Sequence, residues 1–246
     1  MPVQLYQFAI SHFSEKVRWA LDYKGVSYQP VFLLPGMHVK TIRGLTGQKT
    51  TSVPVLVDNG RVVQGSGAIL DHLDALFPER PLLPEEPNAK ASALAWEKRL
   101  DDEAGPAVRT FAYHHLLQRP KVVAPLLAAG TPFWNQYLLR LGFSRVEEIM
   151  REKLAINEKT AAHSQKVIET LLAEITAIYR DGAFLAGDRF SRADLTAGAL
   201  FSPLFMPSRY PVPWPKPQRL PPDLRAWNQH NESVLTPMAQ FYRANR

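Results

Sequence analysis

Between Phe77 and Pro87 the chain carries four prolines and three acids in eleven residues, a composition that neither continues a helix nor fits the interior of a sheet. The regions on either side differ in kind. Upstream, short runs alternate apolar and polar residues, the period of half-buried strands. From Ala89 onward strand signals vanish and helical periodicity dominates. A proline-rich stretch between two such regions reads as a linker. The expected organisation is therefore an α/β unit over residues 1–78, a linker at 79–88 and an all-helical unit over residues 89–246.

Within the first unit, Pro2 to Ala9 reads as a strand, with Val3 and Leu5 alternating against Gln4 and Tyr6. Phe13, Val17, Ala20 and Leu21 then form one helical face that Gly25 closes. Val26 to Leu34 reads as a second strand. A helix returning between neighbouring strands is what parallel pairing requires, so these elements form a βαβ unit. Met37 to Leu45 is a weak helical or irregular segment. Val53 to Val57 and Arg61 to Val63 flank Asp58-Asn59-Gly60, a strong hairpin signal. Ser66 then precedes an apolar helical face of Ala68, Ile69, Leu70, Leu73 and Leu76, and is expected to cap it. The order is βαβ, then ββα.

In the second unit, Ala89 to Leu117 reads as a long helix or a pair of helices, with Gly105-Pro106 the candidate kink, followed by helices over Ser144 to Leu154 and Thr160 to Tyr179. Ser191 and Asp194 have the spacing of a capping box at a further helix start. Pro203 to Pro222 is dense in proline and is expected to run extended over the surface.

Composition narrows the chemistry. With 46% hydrophobic and 21% charged residues over 246 positions the chain is globular. It has no cysteine, so disulfides, thiolate metal sites and a catalytic cysteine are excluded; any thiol chemistry must use a sulfur from elsewhere. The net charge of +6 comes without a basic run or an aromatic platform, which argues against nucleic acid. No run approaches the length of a membrane helix and no signal core opens the chain, so no membrane association and a cytoplasmic location are expected.

Ser11-His12-Phe13-Ser14-Glu15 sits where the first strand gives way to its helix. Either serine serves as an N-cap, and the first turn also presents unpaired N–H groups and the positive end of the helix dipole to an anion. Four segments together carry a resemblance. Ser11 to Leu21, Val53-Pro54, Gly65-Ser66-Gly67-Ala68-Ile69, and Leu185-Ala186-Gly187-Asp188 with Ser191 and Asp194 follow one another in the order found in the glutathione S-transferase superfamily, and the chain resembles its serine-type members. The resemblance implies a thioredoxin-like βαβ-ββα domain joined to a helical-bundle domain. It also implies a homodimer, reduced glutathione as co-substrate and a small-molecule electrophile as second substrate.

In that family Ser11 would be the catalytic residue, donating its hydroxyl to the glutathione sulfur. A free thiol has a pKa of about 8.5 and is only slightly ionised at neutral pH, so a hydrogen bond and a helix dipole that favour the thiolate are needed. Ser14, Val53, Pro54, Gly65 and Ser66 would hold glutathione, Val53 through its backbone before a cis proline and Ser66 by receiving the γ-glutamyl carboxylate at a helix N-terminus. The family usually carries Glu, Gln or Asp before that serine to meet the γ-glutamyl amine; here the position is Gly65, and Gln64 points to the other face of its strand. Tyr6, Phe13, Phe111, Tyr113 and His114 are the candidates for the second-substrate pocket. Arg18 and Arg109 read as surface or interdomain charges, and His114-His115 is not a metal motif, because adjacent helical residues point apart. No metal is expected. The function implied is conjugation of glutathione to a hydrophobic electrophile. The alternatives are a glutathione-dependent isomerase or dehalogenase, and a non-catalytic binding or scaffold protein of the same fold.

Overall fold

A computed structural model of the chain describes residues 2–246. Strand β1 (Val3–Gln7) runs into helix α1 (His12–Tyr23), which returns to β2 (Tyr28–Phe32). Helix α2 (His38–Thr46) leads to the hairpin of β3 (Val55–Asp58) and β4 (Arg61–Gln64), and α3 (Ser66–Leu76) follows. The sheet order is β2-β1-β3-β4. β1 pairs parallel with β2, Leu5 opposite Pro30, and antiparallel with β3, Leu5 opposite Leu56. This is the expected thioredoxin-like βαβ-ββα arrangement. The hairpin turns on Asn59 (φ 47°) and Gly60 (φ 86°), the pair of left-handed residues that a two-residue turn needs to match the strand twist.

The rest of the chain is helical: α4 (Pro87–Arg99), α5 (Gly105–Leu116), α6 (Pro120–Leu127), α7 (Asn135–Leu141), α8 (Phe143–Lys153), α9 (Glu158–Arg180), α10 (Arg192–Phe205), α11 (Pro222–His230) and α12 (Glu232–Asn245). The expected kink takes the form of a π-helical stretch, Leu100–Ala104, directly ahead of Gly105-Pro106, because Pro106 cannot donate to the preceding turn. Helices α6 and α11 escaped the sequence reading although each opens on a proline, Pro120 and Pro222, a residue well suited to the first helical position.

Helix α10 is the hub. Ala193 to Ser202 are all buried, since small and apolar residues occupy every side of it. Leu195 and Ala199 pack with the sheet, α1 and α3, while Ala193, Ala197, Leu200 and Phe201 join the core of the helical region. Its start carries the predicted reciprocal cap. The Asp194 carboxylate accepts from the Ser191 N–H at 2.9 Å, the Ser191 hydroxyl at 2.9 Å and the Leu185 N–H at 2.8 Å. Buried ion pairs bind the layers: Lys16 of α1 meets Glu97 at 2.8 Å, and Arg192 donates to the same carboxylate at 2.9 Å and to Asp71 of α3 at 2.6 Å.

Three expectations are corrected and a fourth is narrowed to one of its alternatives. The second strand is shorter than Val26 to Leu34, because the chain leaves the sheet once β1 ends at Gln7. Ser66 does not cap α3; it is the first helical residue, and Gly65 precedes it at φ +97° with no side chain to offer. Of the two alternatives for Arg18, surface or interdomain charge, the first is ruled out: it is buried, its guanidinium donating to Glu15 at 2.6 Å and Gln7 at 2.7 Å and lying over the ring of Tyr210 from the helical part of the chain. The proline-rich segment is a surface strap only in part: Lys216 to Arg219 are exposed, but Pro203 lies inside α10, and Tyr210 is buried with its hydroxyl donating to the Ile10 carbonyl at 3.0 Å.

Candidate active site

The N-terminus of α1, the Val53-Pro54 junction and helix α5 meet around one cavity. Ser11 is the N-cap, in extended conformation, and its Oγ accepts the Ser14 N–H at 3.2 Å. That contact occupies a lone pair and leaves the Ser11 O–H free to donate outward. The Val53-Pro54 bond is cis, and the Pro54 carbonyl accepts the Gly65 N–H at 3.0 Å. The junction and the N-terminus of α3 are thereby joined. Gln64, immediately before, is pinned elsewhere, donating to the Ser52 carbonyl at 2.8 Å.

Beside Ser11 opens a cavity of about 640 Å³, within the range of small-molecule sites. The start of α1 supplies Ser11, His12 and Phe13, and Val53 contributes from the cis-proline junction. Helix α5 contributes Val108, Arg109, Ala112, Tyr113 and Leu116. Leu204, Met206 and Trp214 close another side. Phe13 comes so close to α5 that a Cβ on Gly105 would lie 2.4 Å from its ring; the absent side chain is what lets the ring dock.

The candidate residues are divided by this geometry. Ser11, Phe13, Val53 and Tyr113 share the cavity wall. Pro54, Gly65 and Ser66 lie off the wall and are linked to it through the Pro54–Gly65 hydrogen bond. Ser14 is wholly buried beneath the first turn, with no partner for its Oγ among the described residues. Tyr6, Phe111 and His114 are not on the wall. The Tyr6 hydroxyl donates to Gln4 along its own strand, and Phe111 packs on Trp227 and His115. The helical period accounts for the split on α5. Positions 108, 109, 112, 113 and 116 share one face, and 111 and 114 fall opposite.

Two polar wall residues had no assigned role from sequence. His12 is buried, and burial together with the positive charge of Arg109 pushes its pKa down to about 3, only partly opposed by a hydrogen bond to the Gly105 backbone. The imidazole is therefore neutral, and its Nε2 has no partner among the described residues. Arg109, read as a surface or interdomain charge, stands on the wall with its own pKa lowered by burial. Burial likewise pushes the Tyr113 phenol up to about 12, so it remains a protonated donor. The i, i+4 spacing of Arg109 and Tyr113 was a usable signal that the two share a face. No Asp or Glu contributes to the described wall, and the described residues contain no cluster of three or more metal-binding side chains.

Comparison with known proteins gives this geometry a family. Residues 5–81 match the sequence profile of the glutathione S-transferase N-terminal domain. A probable glutathione S-transferase of Solanum tuberosum is 32% identical over 196 residues, covering 79% of this chain and 70% of that protein. One from Nicotiana tabacum is 36% identical over 110 residues, 44% of this chain and 48% of that protein. Relative to the tobacco proteins and to glutathione S-transferase U4 of Arabidopsis thaliana, the matched part of the chain spans about half the relative's length. Among solved structures, the β-etherase LigF of Sphingobium sp. strain SYK-6 superposes with a TM-score of 0.64 at 19% identity, covering 100% of both chains. A glutathione S-transferase of Methylobacillus flagellatus, solved with glutathione bound, superposes with a TM-score of 0.62 at 18% identity over 98% of this chain and 93% of that one. At these identities the superpositions speak to the fold alone.

Proposed function

Because the chain belongs to the glutathione S-transferase family, we propose that it binds reduced glutathione beside Ser11 and transfers it, as the thiolate, to an electrophilic carbon of a second substrate held in the adjoining cavity. The observation that carries this reading is the Ser11 hydroxyl. It caps α1, is held by the Ser14 N–H, and faces the same cavity as Val53. In this reading the Val53 backbone pairs with the cysteinyl part of glutathione, and the N-terminus of α3 at Ser66 receives the γ-glutamyl carboxylate. Gly65 offers the amine no side chain, so binding is weaker than an acid at this position would give.

Ser11 and the α1 dipole favour the thiolate. Lowering a thiol pKa by two units takes about 2.7 kcal/mol. One hydrogen bond to a charged group supplies about 1.5–3 kcal/mol and a helix N-terminus roughly 0.3–1 kcal/mol more, so together they reach that figure. The thiol proton passes to solvent, the sulfur lone pair forms the C–S bond, and the leaving group departs with its bonding pair. The apolar walls then hold the hydrophobic part of the electrophile. The proposed working unit is a homodimer, which light scattering at micromolar concentration checks. Retention on immobilised glutathione, followed by conjugation of a neutral aryl halide, tests the activity. Retention with conjugation is the expected result; retention without conjugation would leave a binding protein of this fold, and absence of both would reject the reading.

A further inference from the structure

Among the described residues the fully buried cations are paired with carboxylates; Arg109 and Arg140, both half-buried, are not, and of these two only Arg109 lines the cavity, Arg140 instead donating to the Lys121 carbonyl and lying over the Tyr137 ring. Lys16 meets Glu97 at 2.8 Å, Arg18 meets Glu15 at 2.6 Å, Lys24 meets Asp74 at 2.6 Å, and Arg192 meets Asp71 at 2.6 Å. Arg109, half-buried on α5, has no carboxylate within ion-pair distance among the described residues, and its Nε is buried without a partner. The other cation on the wall, Lys153, has a largely exposed side chain that already approaches Glu152 at 3.4 Å. An unpaired, partly desolvated guanidinium at a mainly apolar cavity is costly unless something in the cavity pairs with it.

We infer that the second substrate carries an anionic group, a carboxylate or an anion of similar shape, which the Arg109 guanidinium receives. A planar guanidinium presents two parallel N–H donors that suit a carboxylate. Tyr113, one turn further along the same face and protonated, stands ready to add a third donor. The position suits the chemistry as well. His12, which adjoins Ser11, hydrogen-bonds to the backbone of Gly105, one turn before Arg109 on α5, and all three of Ser11, His12 and Arg109 line the cavity. An anion at Arg109 is thus on the Ser11 side of the cavity, with the electrophilic carbon within reach of a sulfur at Ser11 and the apolar body against Leu204, Met206 and Trp214.

The inference rests on the transferase reading for its kinetic arm only. A chlorinated dinitrobenzoate and its methyl ester are matched electrophiles, differing in charge. With wild type, Arg109→Gln and Arg109→Lys, all shown folded by circular dichroism, kcat/KM is measured for both. Arg109→Gln is expected to lower the value for the acid by roughly ten- to a hundred-fold, the size of one hydrogen bond to a charged group, and to lower the value for the ester far less. Arg109→Lys is expected to restore part of the loss. Equal losses on acid and ester would mean that Arg109 serves the sulfur instead, and would overturn the inference. A second arm needs no catalysis: calorimetric binding of the chlorine-free dinitrobenzoate and its methyl ester to protein without glutathione. Tighter binding of the acid, lost in Arg109→Gln, upholds the anion site even if no conjugation occurs. Equal binding of both compounds, or binding of neither, overturns it even if conjugation does.

Discussion

The indole of Trp19 lies against the backbone of Gly198, so that a Cβ at that glycine would sit 2.6 Å from the ring. Trp19 is fully buried, stacks edge-on against Tyr242 and donates its Nε1–H to the Asn245 carbonyl at 3.1 Å. It therefore cannot swing away, and this contact sets how closely α1 approaches α10.

Gly198→Ala is accordingly expected to destabilise the protein by about 1–3 kcal/mol, the cost of overpacking a core that cannot yield. The higher helix propensity of alanine recovers only part of that. Urea denaturation checks it: the midpoint should fall at unchanged slope. A midpoint equal to wild type would mean that α10 shifts freely.

Glu97 bridges Lys16 and Arg192, both almost fully buried. Glu97→Gln should cost about 3 kcal/mol or more, because it leaves two buried cations dependent on their outer partners, Asp101 and Asp71. Combining it with Lys16→Met should cost less than the sum of the two single changes. Additive losses in the denaturation experiment would show that the pair is not coupled.

Ser11 has two separable roles, cap and hydroxyl donor. Ser11→Ala removes both and should lower conjugation at neutral pH by roughly ten- to a hundred-fold, with less loss at pH 9, where the free thiol ionises unaided. It should also cost about 1 kcal/mol of stability. Ser11→Asn retains the cap and should recover stability without activity, whereas Ser11→Thr should recover both. Full activity in Ser11→Ala at pH 6.5 would remove Ser11 from the chemistry.

His12 links the site to pH. Its pKa is depressed from 6.5 to about 3 by burial and by Arg109. The unfolded chain therefore binds the proton more readily, and stability rises with pH across that interval. The contribution is present in full above about pH 6.5 and is lost as pH falls toward 3. At pH 5 the difference amounts to about 2 kcal/mol. His12→Gln should lose less stability than wild type between pH 7.5 and pH 5 in urea titrations; parallel losses would place a charged imidazole in the folded protein.

Local chemistry carried most of the fold. Asn59-Gly60 dictated the hairpin, the alternation of Val3 and Leu5 marked a strand, and Ser191 with Asp194 announced a helix start, because each rests on residues a few positions apart. Ser11 was legible for the same reason: an N-cap is a property of four consecutive residues. The family pattern located Val53-Pro54 beside it. What the tertiary structure alone decided is which charges are paired and which face a cavity. Arg18 and Arg109 look alike in sequence, yet one is locked to Glu15 and Gln7 while the other stands on a cavity wall without an acid partner among the described residues. Likewise, the proline-rich run after α10 contains nothing local to say that Met206 and Trp214 close that cavity or that Tyr210 reaches back to Ile10. Desolvation and charge pairing depend on what the rest of the chain brings alongside, over separations as large as the 200 residues between Ile10 and Tyr210, and no short window of sequence contains that information.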